Sequence, residues 1–351
     1  MKQGKSLQEL VTEIERQDTA KEDYIIRESS TRMADDGRIN ISFNGNARTL
    51  MPTDRFEQQL GTALDIPRKY YSKMKDQHPQ LLAENVNAWL ERGQSSHMVR
   101  ALDDQARALL SPNYRRIDNY EIAGAILPRI SSSAGMDIVS CEVTHESLYI
   151  KVVNERIKGE VRLGDIVQAG YYVSNSEVGN GSLTVQPLIY RLVCTNGMIA
   201  AYKDFRGFSR RHIGSRIEDA WAVFTDNTRK LSNAAILAQV GDIIDTLNDP
   251  ARFAVLVETM QRATQRPLTG SVTDVVDKVQ QDYALSKEEH GFVLQNLIRD
   301  DDLTLYGLAN AITRASQDVG SYARATELEG LGFSALTMSA ERWEALNSAA
   351  A

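Results

Sequence analysis

The middle of the sequence, from about residue 97 to residue 202, consists of short runs rich in β-branched and aromatic residues. Turns of two to five residues separate several of these runs, with His145-Glu146 in one turn and residues 177–181 (EVGNG) in another. Short strands joined by such turns are typical of antiparallel sheets. We therefore predict an antiparallel β-meander, whose strands include MDIVSCEVT, SLYIKVV, DIVQAGYYVSNS and SLTVQPLIYRLVC.

Helical patterns flank this strand-rich part on both sides. Ser6 and Glu9 form a capping box before LQELVTEIERQ, and three short helical patterns follow Thr53, Pro67 and Pro79. After the strands, apolar residues recur at helical spacing from Ile217 to Leu247, which predicts one helix of about 31 residues. Asp249-Pro250 ends that helix and begins the next one.

These patterns predict an α+β protein in which an antiparallel β-meander is followed by a long helix, with a helical region at each end. We expect three regions: 1–95, mainly helical; 96–216, the antiparallel β-rich core; and 217–351, helical. A chain of 351 residues is too long for one small core, so more than one packed unit is expected.

Composition limits the cellular locations in which the chain is expected to work. It has no run of about 18 apolar residues that would span a membrane and no apolar signal-peptide core near its start. Its two cysteines, Cys141 and Cys194, lie in apolar strand-like runs and are expected to be reduced and buried. We therefore expect a cytoplasmic protein with no membrane partner.

The sequence contains no recognisable catalytic motif. The five histidines are scattered without metal-ligand spacing, no glycine-rich phosphate loop precedes a helix, and no serine elbow is present. We therefore predict no enzymatic activity, no metal and no cofactor. An enzyme whose site assembles from distant residues remains an alternative, with Asp118, Glu142, His145 and His212 as its candidates.

The strongest functional feature is a basic segment that directly follows the most strand-like run. Five cations stand there against one acid, Asp204, although the net charge of the chain is −7. Arginine forks suit phosphates, and aromatic faces stack on unpaired bases. We predict a nucleic-acid site that prefers single strands and contains Tyr202, Lys203, Phe205, Arg206, Phe208, Arg210, Arg211 and Arg216. The alternative is that the aromatic residues anchor a loop whose arginines pair with Glu218 and Asp219.

Two further places carry cations. Arg115 and Arg116 follow SPNY and are predicted to form a second wall of the nucleic-acid site, or else a solvated turn. The segment 54–75 resembles a helix-turn-helix, but its turn lacks the usual glycine. A plain helical hairpin that packs Leu60, Leu64, Tyr70 and Met74 inward is the favoured interpretation.

Several stretches of the sequence resemble one known family. They are DIPRKYYSKM, LLAENVNAWL, ALLSPNYRRIDNYEI, LTVQPLIYRLVCTNGMIA and LTLYGLANAIT, in this order, over about residues 66 to 313. Together they are similar to the phage/plasmid-like proteins that carry domain of unknown function 932. The resemblance implies a bacterial or phage cytoplasmic setting but no activity. The positions that match are Tyr114, Arg115, Asp118, Asn119, Arg191, Cys194, Asn196 and Gly197, and their role is structural or functional.

The order of elements also looks like the core of single-strand annealing proteins, an analogy at the level of the fold alone. The leading hypothesis is a homo-oligomeric protein of a phage or mobile element that binds single-stranded DNA and takes part in annealing or recombination. The alternative is a protein–protein interaction factor that binds a host protein or serves in assembly, without binding nucleic acid.

Overall fold

The computed structural model describes residues 1–200, 208–210 and 224–347, and of residues 208–210 it describes the backbone alone. The helices are α1 (Leu7–Ala20), α2 (Asp54–Ala63), α3 (Arg68–Gln77), α4 (Pro79–Leu90), α5 (Asn119–Ser132), α6 (Asp226–Leu247), α7 (Pro250–Thr264), α8 (Val272–Asp282), α9 (Lys287–Asp300), α10 (Leu305–Ala315), α11 (Tyr322–Leu336) and α12 (Ala340–Asn347). The strands are β1 (Lys21–Arg27), β2 (Thr31–Met33), β3 (Ile39–Phe43), β4 (Asn46–Pro52), β5 (Ser96–Leu102), β6 (Gln105–Leu110), β7 (Met136–Val143), β8 (Leu148–Glu160), β9 (Ile166–Asn175), β10 (Leu183–Arg191), β11 (Asn196–Ile199) and β12 (Phe208–Arg210). These elements confirm the predicted α+β class. No helix in the described ranges combines the length and the apolar character that crossing a membrane requires.

The first sheet has the strand order β1-β5-β6-β4-β3-β2, and it is antiparallel except where β4 runs parallel to β6. The tight turn Asp103-Asp104 joins β5 to β6, with Asp103 in the left-handed region at a φ of 54°. Helices α2, α3 and α4 bury Phe56, Met74 and Val86 against this sheet. The sheet therefore draws strands from both sides of the predicted boundary between residues 95 and 96.

The second sheet joins β7, β8, β9, β10 and β11 in that order, and each strand is antiparallel to its neighbour in the sequence. The short strand β12 lies beside the first half of β10, with Phe208 opposite Val185. The segment after β11 thus returns to the same edge of the sheet.

One face of the second sheet is covered by α1, α5 and α6. Leu10 and Ile14 of α1 share a buried cluster with Ile126 of α5, Val240 of α6 and Tyr171 of β9. Helix α1 therefore packs on the second sheet although it comes before all strands of the first sheet. Residues 21–135 separate α1 in sequence from the strands that it covers.

Helix α6 differs from the long helix expected from the apolar spacing. It begins at Asp226, because the hydroxyl of Thr225 accepts a hydrogen bond from the N–H of Thr228 and forms the N-cap. The described helix has 22 residues and ends at Leu247. Residues 217–223, where the predicted helix would begin, lie outside the described residues.

Helices α7 to α12 form a C-terminal bundle that packs against the second sheet. Its core includes Ile312 and Phe333, which share one cluster with Ala169, Ile189 and Met198 of the second sheet. The predicted capping boxes at Ser6–Glu9 and Ser286–Glu289 are both present. Asp249 caps α7 by accepting from the N–H of Ala251 at 2.8 Å, as Asp249-Pro250 predicts.

The opposite face of the second sheet contacts α11 through an ion pair. Lys151 of β8 and Glu329 of α11 are both fully buried, with 2.6 Å between Nζ and Oε2. The ammonium group lies 4.7 Å from the centre of the Tyr322 ring, so it also has an aromatic face as a partner.

Candidate nucleic-acid interface

The described residues include only part of the predicted basic segment. Phe208 and Arg210 belong to β12, where the backbone alone is described, opposite Val185 and Leu183. The other predicted contacts lie outside the described residues: Tyr202, Lys203, Phe205, Arg206, Arg211 and Arg216. The position of β12 places residues 208–210 of this segment at the edge of the second sheet.

Arg115 and Arg116, the predicted second wall, both contact groups of the chain itself. The guanidinium of Arg116 is half exposed and lies 3.2 Å from Asp23 Oδ2. The guanidinium of Arg115 is partly buried and donates to the hydroxyl of Ser232. Arg116 therefore keeps an exposed face for another partner, whereas Arg115 holds α6 against the loop that precedes α5.

The motif LSPNYRRIDN lies at the junction of the two sheets, where a buried arginine gathers acids. Arg100 of β5 donates to Asp23 Oδ1 and to Asp118 Oδ1, each at 2.8 Å. Lys21 reaches the second oxygen of Asp118 at 2.6 Å. Burial opposes ionisation of Asp118, but the charges of Arg100 and Lys21 outweigh it and lower its pKa to about 2. The ionised carboxylate of Asp118 therefore bridges the side chains of Arg100 and Lys21.

A second buried pair continues this junction. Arg107 of β6 lies 3.1 Å from Glu177 Oε2, and both side chains are almost fully buried. Glu177 Oε1 accepts from the backbone N–H of Asn119 at 2.8 Å, and the Tyr114 hydroxyl bonds the Ser176 carbonyl. These hydrogen bonds join β6, the start of α5 and the end of β9. The motif positions in this region are therefore structural connectors.

The second motif, RLVCTNGM, holds the end of β10 against α10. Arg191 makes a bidentate pair with Asp165 at 2.6 and 2.8 Å, and the Tyr306 hydroxyl donates to Asp165 at 2.9 Å. Arg191 also donates to the thiol sulfur of Cys194 at 3.3 Å. Cys194 lies half-buried in the β10–β11 turn and not in a strand, so the expectation of a buried strand cysteine is wrong for this residue.

Helices α2 and α3 form a helical hairpin whose inward face differs by one residue from the prediction. Leu60 and Met74 are buried as expected, but the buried tyrosine is Tyr71 and not Tyr70. Tyr70 is 48% exposed because Tyr71 and Met74, three residues apart, already occupy the inward face of α3. The prediction for Tyr70 is therefore wrong, and its ring faces solvent.

The exposed ring of Tyr70 borders a cleft that the sequence analysis missed. The cleft measures about 590 Å³ and lies between the α2–α3 turn, α3 and the end of α4. Trp89 of α4 also lines it and is 50% exposed, and Arg92 lies beside it. Two large aromatic side chains are thus open to solvent at one concave surface. In the sequence, both residues stand within helical patterns of apolar residues, and these patterns do not show that the two rings face solvent.

Arg92 lines this cleft, and further cations lie on helix α3. Helix α3 carries four cations and one acid within ten residues, at its sequence RKYYSKMKDQ. Within the described part of the chain, the exposed side chains of Arg68, Lys69, Lys73 and Arg92 have no ion-pair partner. Lys73 follows Tyr70 by three residues, so the two side chains neighbour each other on the helix. We call the cleft lined by Tyr70, Trp89 and Arg92 the aromatic cleft, and Arg68, Lys69 and Lys73 the cations of α3.

The carboxylates near the aromatic cleft are Glu28 and Asp65. Glu28 is buried and bonds His97 Nε2 at 2.7 Å, so its charge already has a partner. Asp65 lies exposed in the α2–α3 turn with a φ of 53°. Among the residues that line the cleft, the exposed charged side chains are therefore Asp65 and Arg92, and the other cations lie on α3.

The residues proposed for a dispersed enzyme site do not come together in the described part of the chain. Asp118 is bound in the sheet junction, and Glu142 pairs with Lys5 at 3.4 Å. The carbonyl of His145 accepts from Arg107, and His212 lies outside the described residues. Among the described residues, no group of three or more His, Cys, Asp or Glu side chains could hold a metal ion.

Comparison with known proteins gives a match at the level of the family. The family model described as Domain of unknown function (DUF932) matches residues 108–339. No curated protein and no solved structure matches the chain. The matched range includes the second sheet, both motifs discussed above and most of the C-terminal bundle. Because the match spans well over half of the sequence, the chain belongs to the family of domain of unknown function 932.

Proposed function

We propose that this protein binds nucleic acid and prefers single strands. The observation that carries the proposal is the aromatic cleft, where Tyr70 and Trp89 are each about half exposed beside cations without ion-pair partners in the described chain. Aromatic faces stack on unpaired bases and contribute about 1–3 kcal/mol per base. Bases in a duplex already stack on each other, so the same rings favour single strands.

Electrostatics supports the same proposal. Arg68, Lys69 and Lys73 on α3, and Arg92 in the cleft, are exposed cations without ion-pair partners in the described part of a chain whose net charge is −7. Such a local patch attracts phosphates, whereas the overall charge disfavours wrapping of long nucleic acid. If each cation neutralises one phosphate, the log–log slope of affinity against salt is about −3.

The proposal extends to the basic segment that follows β11. Lys203, Arg206, Arg210, Arg211 and Arg216 supply further phosphate contacts, and Tyr202, Phe205 and Phe208 supply further stacking faces. Arg116 adds its exposed face, and Arg115 positions the neighbouring loop. A homo-oligomer would align several such surfaces along one strand, as annealing of single-stranded DNA requires. The setting proposed for this activity is a phage or mobile element in the bacterial cytoplasm.

The test is fluorescence anisotropy of single-stranded and double-stranded oligonucleotides across a salt series, with size-exclusion chromatography of the same samples. We expect the double variant Tyr70→Ala/Trp89→Ala to weaken single-strand binding about 30-fold or more, because two stacking faces are lost. We expect Lys69→Ala/Lys73→Ala to make the salt slope shallower by about 1.4. Arg210→Ala/Arg211→Ala tests the segment after β11 in the same assay.

Matched controls lie elsewhere on the surface. Tyr120 of α5 is exposed to the same degree as Tyr70, and Lys287 of α9 is an exposed cation without an ion pair in the described residues. Tyr120→Ala and Lys287→Ala should leave affinity and salt slope unchanged. Equal losses in the control and cleft variants, or no oligonucleotide binding in dilute buffer, would contradict the proposal.

One observation favours the second candidate, a protein–protein interaction factor. The β8–β9 and β10–β11 turns meet at the same end of the second sheet, where the N–H of Leu192 bonds the carbonyl of Ile166. Leu163 is 99% exposed there, and Leu192 and Val193 are also exposed. A host protein captured in high salt after nuclease treatment, and lost with Leu163→Asp/Val193→Asp, would favour this candidate.

A further inference from the structure

A second cavity lies on the other side of α3 from the aromatic cleft. It measures about 410 Å³ and is formed by α2, the α2–α3 turn and α3. Gly61 and Ile66 contribute apolar surface, and Gln58, Thr62 and Ser72 contribute polar groups. Ile66 lines both cavities, so the first turn of α3 separates them. The volume lies within the roughly 300–1,000 Å³ of typical small-molecule sites. We call this cavity the α2–α3 pocket.

A buried hydroxyl without a partner marks the α2–α3 pocket. Tyr71 lines it and is 5% exposed, and its hydroxyl has no hydrogen-bond partner among the described residues. Burial, and then the nearby charge of Glu57, raise the pKa of Tyr71, so the hydroxyl keeps its proton. Leaving such a group unsatisfied costs about 1–3 kcal/mol. A ligand with a hydrogen-bonding edge would recover this free energy.

The charges of the pocket select the kind of ligand. Lys75 Nζ lies 2.6 Å from Glu57 Oε2 and 3.9 Å from Asp54 Oδ1. Counting Asp76 and Arg68, the lining carries three carboxylates and two cations. A phosphate inside the pocket would be repelled, whereas N–H donors would find carboxylate acceptors. A flat ligand with amino groups and an acceptor suits this lining.

The first turn of α3 suits the phosphate that such a ligand would carry outside the pocket. Pro67 is the N-cap and offers no side-chain cap; the N–H of Tyr70 bonds the Pro67 carbonyl at 2.9 Å, and the N–H groups of Arg68 and Lys69 precede it in the ten-residue helix. Arg68 is exposed there and has no ion pair in the described chain. Helix N-termini favour anions because their N–H groups and the helix dipole point the same way.

We propose that the α2–α3 pocket binds one nucleobase that carries an exocyclic amino group, with the Tyr71 hydroxyl and the Glu57 carboxylate as recognition groups. The base belongs to a single strand whose neighbouring base stacks in the aromatic cleft and whose phosphate crosses the first turn of α3. This inference rests on the proposed function and adds base selectivity to it. Cytosine, adenine and guanine carry such an amino group, whereas uracil and thymine do not.

The experiment compares deoxycytidine with deoxyuridine, which differ at one amino group. Isothermal titration with the two nucleoside 5′-monophosphates, and anisotropy with oligo(dC) and oligo(dU), measure selectivity on the full chain. We expect the cytosine forms to bind about 10-fold tighter, because uracil presents a carbonyl to the carboxylate. Ser72→Phe fills the pocket and should abolish this preference. Gln77→Phe adds the same ring at an exposed position of α3 that lines neither cavity, and it should keep the preference.

Tyr71→Phe separates recognition from folding. Removing a hydroxyl that is unsatisfied in the free protein should leave the melting temperature unchanged or raise it, while cytosine binding weakens about 5-fold or more. A fall in melting temperature with unchanged cytosine affinity would assign Tyr71 to the core alone and overturn its role here.

The outcomes distinguish this inference from the proposed function. Strand binding with equal affinity for oligo(dC) and oligo(dU) overturns the base pocket and leaves the proposed function standing. Selectivity for the monophosphate without any strand binding overturns the proposed function and assigns the pocket to a free nucleotide. Selectivity in both series supports the inference as stated.

Discussion

At the residue scale, the most unusual pair is Lys151 and Glu329, which face each other without access to solvent. Removing two charges from water is unfavourable, and their attraction offsets this only while both partners are present. The pair joins β8 to α11, and the residues opposite Lys151 on the neighbouring strands are Ser140 and Tyr172. We infer that it selects the position of α11 on the sheet more than it stabilises the fold.

The Lys151–Glu329 pair leads to a prediction about the free energy of unfolding. Glu329→Gln should lower the free energy of unfolding by about 3–5 kcal/mol, because it leaves the Lys151 ammonium buried without a counter-charge. The double variant Lys151→Met/Glu329→Met should recover most of this loss, since no buried charge remains. Chemical denaturation followed by circular dichroism measures both.

A surface pair provides the comparison for this prediction. Arg129 and Asp245 are 2.8 Å apart but largely exposed, so Asp245→Asn should change the free energy of unfolding by less than about 1 kcal/mol. A buried-pair variant that behaves like the surface variant would show that Lys151 finds other partners.

At the element scale, local sequence rules predict the helices well because their causes are local. The capping boxes at Ser6 and Ser286, and the Asp249-Pro250 helix start, need only a few neighbouring residues. The same rules could not distinguish Tyr70 from Tyr71, since the inward face of α3 is set by what α4 and the first sheet present to it. The aromatic cleft depends on that one-residue difference and therefore required the structure.

Helix packing at α11 gives a matched pair of predictions within one element. A Cβ at Gly332 would overlap the Thr313 hydroxyl and the Ala309 carbonyl of α10, whereas a Cβ at Gly330 meets no atom. Gly332→Ala should therefore destabilise the protein by more than about 1 kcal/mol, because α10 and α11 must separate. Gly330→Ala should stabilise it by about 0.5–1 kcal/mol through helix propensity. Thermal melts measure both, and equal effects would contradict the close packing of α10 and α11.

At the scale of the whole molecule, buried charges connect the two sheets. Arg100 and Arg107 lie in β5 and β6, within the part predicted to be strand-rich, but that pattern did not predict the burial of two arginines. Their acidic partners Asp118 and Glu177 come from parts of the chain that are distant in sequence. Such contacts need the assembled fold, so the sequence predicts the α+β class and not this junction.

The buried charges at this junction make the free energy of unfolding depend on pH. Because the folded-state pKa of Asp118 is lowered to about 2 from 3.8, its contribution is complete above about pH 4 and is lost as pH falls toward 2. The full contribution is about 2 kcal/mol. Asp118→Asn should be less stable near neutral pH and should lack this part of the acid-dependent loss. Denaturation at several pH values compares the two proteins, and parallel curves would contradict the assignment.

The path of the chain through the two sheets has a further consequence. The backbone leaves the second-sheet unit at the end of α1, builds the first sheet, and returns at about Ser111. An ion pair joins the two crossings, with 2.6 Å between Lys21 Nζ and Asp118 Oδ2. Topologically, the sheet that carries the aromatic cleft is an insertion within an otherwise continuous domain. This insertion is not independent of the domain that holds it, because its Arg100 and Arg107 are the buried partners of Asp118 and Glu177. The family model begins at residue 108 and therefore omits α1, although Leu10 and Ile14 complete the core of the domain that it describes.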